Sequence, residues 1–149
     1  MKRAKRLQPV SQLMDELERE SALRVAAAQS RLAEAQRRCD ELQRYLAEYR
    51  NMFATRAKAG IGVSGVRDYQ IFIARLDEAV KAQQSVLEQL TAECQRERDA
   101  WSQAAARKNA VEKVIDKAHA EERTAEDRRV QREQDDRRSE EHTSELQSP

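Results

Sequence analysis

Apolar residues recur along this chain in alternating steps of three and four. From Val25 they fall at Ala28, Leu32, Ala35, Cys39, Leu42, Leu46, Tyr49 and Phe53 without a miss. That alternation draws one apolar line along a helix and is the heptad pattern of a coiled coil. The pattern breaks over AGIGVSG, residues 59–65, which holds all three glycines of the chain. It restarts at Val66 and continues through Tyr69, Ile73, Leu76, Val80, Gln83, Leu87, Leu90, Cys94, Glu97, Trp101, Ala104, Lys108, Val111, Ile115 and Ala118. Thirteen of those sixteen positions are apolar, so the second segment is a seam helix too.

Two seams joined by a short connection predict an antiparallel helical hairpin, all-α in class. Folding about the glycines pairs residues whose numbers sum to about 122 when the two helices run side by side. The expected organisation is a basic lead-in over 1–9, a first coiled-coil helix over 10–58 and a glycine-rich turn over 59–65. A second helix follows over 66–120, then a charged segment over 121–137. The latter, EERTAEDRRVQREQDDR, has almost nothing apolar to bury and reads as a frayed or solvated helix. The stretch RSEEHTSELQSP, 138–149, reads as one translated frame of a common sequencing adapter and is set aside from fold reasoning.

Two irregularities interrupt the seam. Before Val25 the apolar steps become Val10, Leu13, Leu17, Ser21, Val25, two steps of four in succession, a stutter that relaxes the supercoil. Opposite it, by the same sum, lies Trp101, the single tryptophan, which reads as a knob packed against Ser21 and Ala22. The second irregularity is off the seam. Tyr45 and Phe72 fall on its edges and, with Leu42, Tyr49, Leu76 and Ala79, make a second apolar stripe at one level of the hairpin. Bulky aromatics outside the seam of a charged helical pair point to a protein docking site, or to a seam widened near the turn.

Composition narrows the class of protein. The 149 residues are 37% charged, 39% hydrophobic and 4% aromatic. Burial is thus confined to a narrow seam, which argues against a deep enzyme pocket. With 28 basic and 27 acidic residues interleaved, the formal net charge is +1, which argues against a general nucleic-acid binder. The one basic cluster, MKRAKR, carries Lys2, Arg3, Lys5 and Arg6 and reads as a solvated helix lead-in rather than a phosphate contact. No apolar h-region follows it and no run of about 18 apolar residues occurs, which predicts a cytoplasmic protein.

Candidate chemistry does not emerge from the motifs. Gly60, Gly62 and Gly65 spell G-x-G-x-x-G, but a dinucleotide site needs a buried strand before the glycines, and a helix-period segment stands there instead. The glycines read as structural, breaking one helix and reversing the chain. Cys39 and Cys94 both fall on the seam, about 16 Å apart in the hairpin register at a rise of about 1.5 Å per residue. That is beyond disulfide reach, so they read as small core residues in a reducing compartment. No His or Cys grouping has metal-ligand spacing and no nucleophile, base and acid stand together, so no catalytic residue, metal or cofactor is expected.

The order and spacing of YLAEYR at 45–50, the glycine turn at 60, DYQIFIARLDEA at 68–79 and Trp101 resemble the FliJ family of the bacterial flagellar export apparatus. The resemblance covers about Leu13 to Lys117. It implies an antiparallel coiled-coil hairpin, similar to the two-helix stalk of the rotary ATPase gamma subunit, with a non-catalytic role in type III protein export. It also implies partners: the hexameric export ATPase FliI, the cytoplasmic domain of the export gate protein FlhA, and substrate chaperones. Peripheral association with the inner membrane face would follow through that apparatus. The gate-binding positions it implies are Leu42, Tyr45, Tyr49, Phe72, Leu76 and Ala79, flanked by Arg38 and Gln83. An injectisome stalk of the same architecture and a generic coiled-coil scaffold remain the competing readings.

Overall fold

A computed structural model describes residues 2–147; Met1 of the lead-in and Ser148 and Pro149 of the adapter-like stretch lie outside them. Among the described residues there are two α-helices and no strand: α1, Arg3–Ala59, of 57 residues, and α2, Val63–Gln147, of 85. The helices pack side by side in opposite directions as a helical hairpin. By contact the chain divides into two units, Met1–Glu18 with Gln103–Pro149, and Arg19–Ser102.

In each unit the cross-helix contacts keep one register. In the 19–102 unit Arg24 meets Glu97, Arg31 meets Glu93, Arg50 meets Asp77, and the Gln83 amide donates to the carbonyl of Ala35. In the other unit Lys108 meets Asp15, and the Ala4 backbone N–H donates to a Glu122 carboxylate oxygen at 3.2 Å. The residue numbers of each pair add to within about five of 122, the spread expected when side chains reach along a helix with 3.6 residues per turn.

Burial follows the heptad line. Val25, Ala28, Ala35, Cys39, Leu46, Val80 and Cys94 are buried in one unit, and Ala4, Ile115 and Ala118 in the other. Most are small, because two helices in contact bury only the narrow stripe between them. The flanks carry the charge, and every residue from 123 to 146 is exposed.

The first turn of α1 runs before Pro9, which lies inside the helix. A proline there removes one N–H, the partner of the residue four before it, in a stretch where most backbone groups are solvent-facing. Glu122 takes up the Ala4 N–H, one of the orphan donors of a helix start.

The connection is shorter than the seven residues expected. α1 ends at Ala59, and Gly60 follows in the left-handed region at φ 87°, its N–H donating to the carbonyl of Ala57 at 3.3 Å. This is the αL cap that glycine adopts at no steric cost. Arg56 and Lys58 in the last turn add favourable charge at the helix C-terminus. Gly62 then accepts from the N–H of Val66 at 3.1 Å, which makes it the N-cap of α2. Gly65 is helical, in the first turn of α2, and not part of the turn.

The glycines therefore separate on substitution. Gly60→Ala places a side chain at positive φ and should lower stability by about 1 kcal/mol. Gly65→Ala meets only ordinary contacts with Ile61, at 3.6 and 3.8 Å, and should leave stability unchanged or raise it by up to about 1 kcal/mol. Urea denaturation of the two variants followed by circular dichroism checks the opposite signs. Light scattering on the unaltered chain should return the mass of one polypeptide, since intramolecular pairing outcompetes dimerisation through its high effective concentration.

Candidate functional site

Three features of the 19–102 unit stand out from a charged helical pair. The first is the level of the off-seam aromatics. Tyr45 is 51% exposed and Phe72 41%, while Leu42, Tyr49, Leu76 and Ala79 are half-buried around them. Two of them meet directly: the Tyr49 and Phe72 rings lie 4.5 Å apart between centroids, tilted by 52°. Nearer the turn Phe53 and Tyr69 form a second pair at 5.8 Å, with the Arg56 guanidinium 5.9 Å from the Tyr69 ring. A shallow hollow of about 380 Å³, lined by Tyr49, Gly65, Asp68, Tyr69 and Phe72, opens beside them.

Helix geometry explains the arrangement. Leu42 and Tyr49 lie on the seam of α1 and Leu76 on that of α2, whereas Tyr45 immediately precedes Leu46 and Phe72 immediately precedes Ile73. That places both aromatics on the flank of the seam, the position that in antiparallel pairs faces its counterpart on the other helix. Phe72 therefore reaches over the seam onto Tyr49, and Tyr45 is left projecting. Met52 and Val86 are not among the positions that the resemblance implies, yet both are exposed. Each lies seven residues from a member of the patch, Met52 from Tyr45 and Val86 from Ala79, and that heptad spacing is the signal by which the sequence places them on the same flank.

The second feature is Trp101. It borders an open hollow of about 270 Å³ with Ala22, Val25, Ala26 and Gln29, and it keeps 40% of its surface exposed. The indole is thus only partly covered where it borders the small residues of α1.

The third is the pair of thiols and a hydroxyl inside the seam. Cys39 and Cys94 are free and each only 2% exposed. Ser21, at the stutter, is 1% exposed, and its Oγ finds no hydrogen-bond partner in the protein. Among the described residues no group of three His, Cys, Asp or Glu side chains is placed to hold a metal ion. No helix among them is long and apolar enough to cross a membrane.

The fold and this surface define a class: a two-helix antiparallel hairpin with a half-exposed apolar patch beside the turn. The family model described as Flagellar FliJ protein matches residues 2–144, nearly the full length, and the chain belongs to that family. No curated relative and no solved structure matches it. The family is a structural, non-catalytic component of the flagellar export apparatus.

Two predictions come from the seam. Ser21→Ala removes an unpaired buried hydroxyl and puts the best helix former in its place, so it should raise stability by about 1 kcal/mol; a fall in melting temperature would contradict this. Cys39 and Cys94 should resist a thiol reagent in the folded protein and react at once in 6 M guanidinium, both buried thiols becoming accessible together as the seam opens.

Proposed function

We propose that this chain joins the ring of the export ATPase FliI to the export gate protein FlhA and engages substrate chaperones, acting by contact and not by catalysis. Its place is the cytoplasmic face of the inner membrane, held there peripherally through the export apparatus. The gate contact is the face made by Leu42, Tyr45, Tyr49, Phe72, Leu76 and Ala79.

One observation carries the proposal: within a flagellar export family, the chain holds two large aromatics half exposed on one flank beside the turn, about one heptad apart, with exposed Met52 and Val86 on the same flank. An exposed apolar patch of this kind on a water-soluble surface is retained against its cost in solubility when something covers it. Aromatic side chains are the commonest anchors of protein interfaces, since they bury large area with few rotatable bonds. A scaffold held together by its seam alone has no need of Tyr45, which contributes little to seam burial. The match to a flagellar family favours the flagellar system over an injectisome stalk.

Truncation of the two aromatics tests the assignment. Removing interface anchors costs about 2 kcal/mol or more, so Tyr45→Ala with Phe72→Ala should weaken binding to the cytoplasmic domain of the gate by about 30-fold or more. Association with the export ATPase should persist and helicity should be nearly unchanged. Phe72 also packs on Tyr49, a ring pair worth about 1 kcal/mol, so a small loss of thermal stability is expected from that change and not from Tyr45→Ala alone. Unchanged gate affinity would remove the patch as the docking site. Affinity that falls only in step with collapse of the hairpin would make the aromatics packing residues.

A further inference from the structure

The flank that carries Tyr45 is a column of residues spaced by seven along α1: Arg24, Arg31, Arg38, Tyr45 and Met52. The facing column on α2 is Phe72, Ala79, Val86 and Glu93. In an antiparallel pair such columns lie opposite one another and supply the ion pairs that bridge the helices. At the level farther from the turn this happens: Arg31 Nη2 lies 2.6 Å from a Glu93 carboxylate oxygen, while Arg24 Nε reaches the seam residue Glu97 at 3.5 Å. Nearer the turn, beyond Arg38, the column is apolar on both helices.

Arg38 stands at the boundary between the two regimes. The register that joins Arg31 to Glu93 sets Arg38 against Val86, which offers no carboxylate. The two line one hollow of about 310 Å³, together with Arg31, Glu34, Ala35, Gln83 and Leu90. Among the described residues the ion pair of Arg38 is with Glu34 of its own helix, at 2.9 Å, with both side chains mostly exposed. An exposed pair four residues apart on one helix is worth only about 0.3–0.5 kcal/mol. The guanidinium is thus weakly held, at the rim of a hollow with both charged and apolar walls, one heptad from Tyr45.

We propose that this flank accepts an amphipathic helix of the partner as a third strand of the coiled coil, with a carboxylate of that helix taking Arg38 above Val86. The partner's apolar anchors then fall one and two heptads farther toward the turn, over Tyr45 with Ala79 and over Met52 with Phe72, at intervals of about 10.5 Å. Charge complementarity selects the acidic group. The planar fork of Arg38 accommodates a carboxylate bidentately, and an incoming helix that covers the hollow shields that pair from solvent, whereas the pair with Glu34 is exposed. The ionic contact fixes the register of the incoming helix, and the apolar contacts hold it. This inference rests on the docking face proposed above and adds to it the chemistry and the secondary structure of the occupant.

The test uses the full chain and the purified cytoplasmic domain of the gate as the probe, with Arg38→Ala, Arg38→Glu and Tyr45→Ala compared in low and high salt. Arg38→Ala should weaken binding by about 10-fold at low salt and Arg38→Glu by more, with helicity unchanged in both. The difference from the unaltered chain should shrink toward 1 M salt, where screening extends over only about 3 Å. The loss in Tyr45→Ala should persist there. Undiminished binding in Arg38→Glu beside a loss in Tyr45→Ala would overturn the acidic contact and leave the docking face standing. A loss in Arg38→Glu that is insensitive to salt, or that accompanies lost helicity, would likewise overturn it. An unaltered chain that does not bind the gate domain at all would overturn the docking assignment itself.

Discussion

Burial in this protein is confined to a line of side chains, most of them small, at a fixed pairing of α1 with α2. Ala28, Ala35, Cys39, Val25 and Cys94 fill it in the 19–102 unit, and Ala4 and Ala118 lie on it in the other. Each contributes little apolar area, so the hairpin depends on many such contacts falling in step. A shift of pairing by one residue would place charged flank residues in the seam along the whole stretch concerned. The ion pairs Arg31–Glu93, Arg24–Glu97 and Asp15–Lys108 reinforce the same register, and those that are mostly exposed are individually weak.

The register also decides what the surface displays. A seam position points inward by construction, and the residue just before it points along the flank. Tyr45 and Phe72 are half exposed for that reason alone, since the seam is already occupied by Leu46 and Ile73. Among the described residues the ion pair of Arg38 stays on its own helix for the same reason: the column opposite it has turned apolar by Val86. The exposed apolar residues of this flank are departures from the ionic pattern that an isolated hairpin would use, and they concentrate in one stretch beside the turn.

Much of this was legible in the sequence, because the three-four alternation is unbroken from Val25 to Phe53 and one glycine cluster divides it. Those two facts yield the hairpin, the pairing near 122 and the edge positions of the aromatics. The limits of the turn were less legible. Gly62 and Gly65 look alike in a sequence, yet one is an N-cap and the other helical, and only the hydrogen bond from Val66 to Gly62 separates them. The environment of Trp101 was misleading for a different reason. A seam register predicts which residues share a level, but not how far a large ring is covered when the facing residues are alanines. The stacking of Phe72 on Tyr49 depends on side-chain rotamers, which no spacing rule specifies.

The thinness of the seam has a consequence for how such a chain changes over time. Each layer of side chains touches only the layers beside it, so the free energy of the pair accumulates nearly additively along the helices, as it does in linear repeat proteins. A replacement at one layer is felt by its neighbours and fades beyond them. The flank columns are coupled to the seam more weakly still. A lineage is therefore free to rewrite one column, residue by residue at sevenfold spacing, and so to exchange one binding partner for another while the two helices stay joined as before.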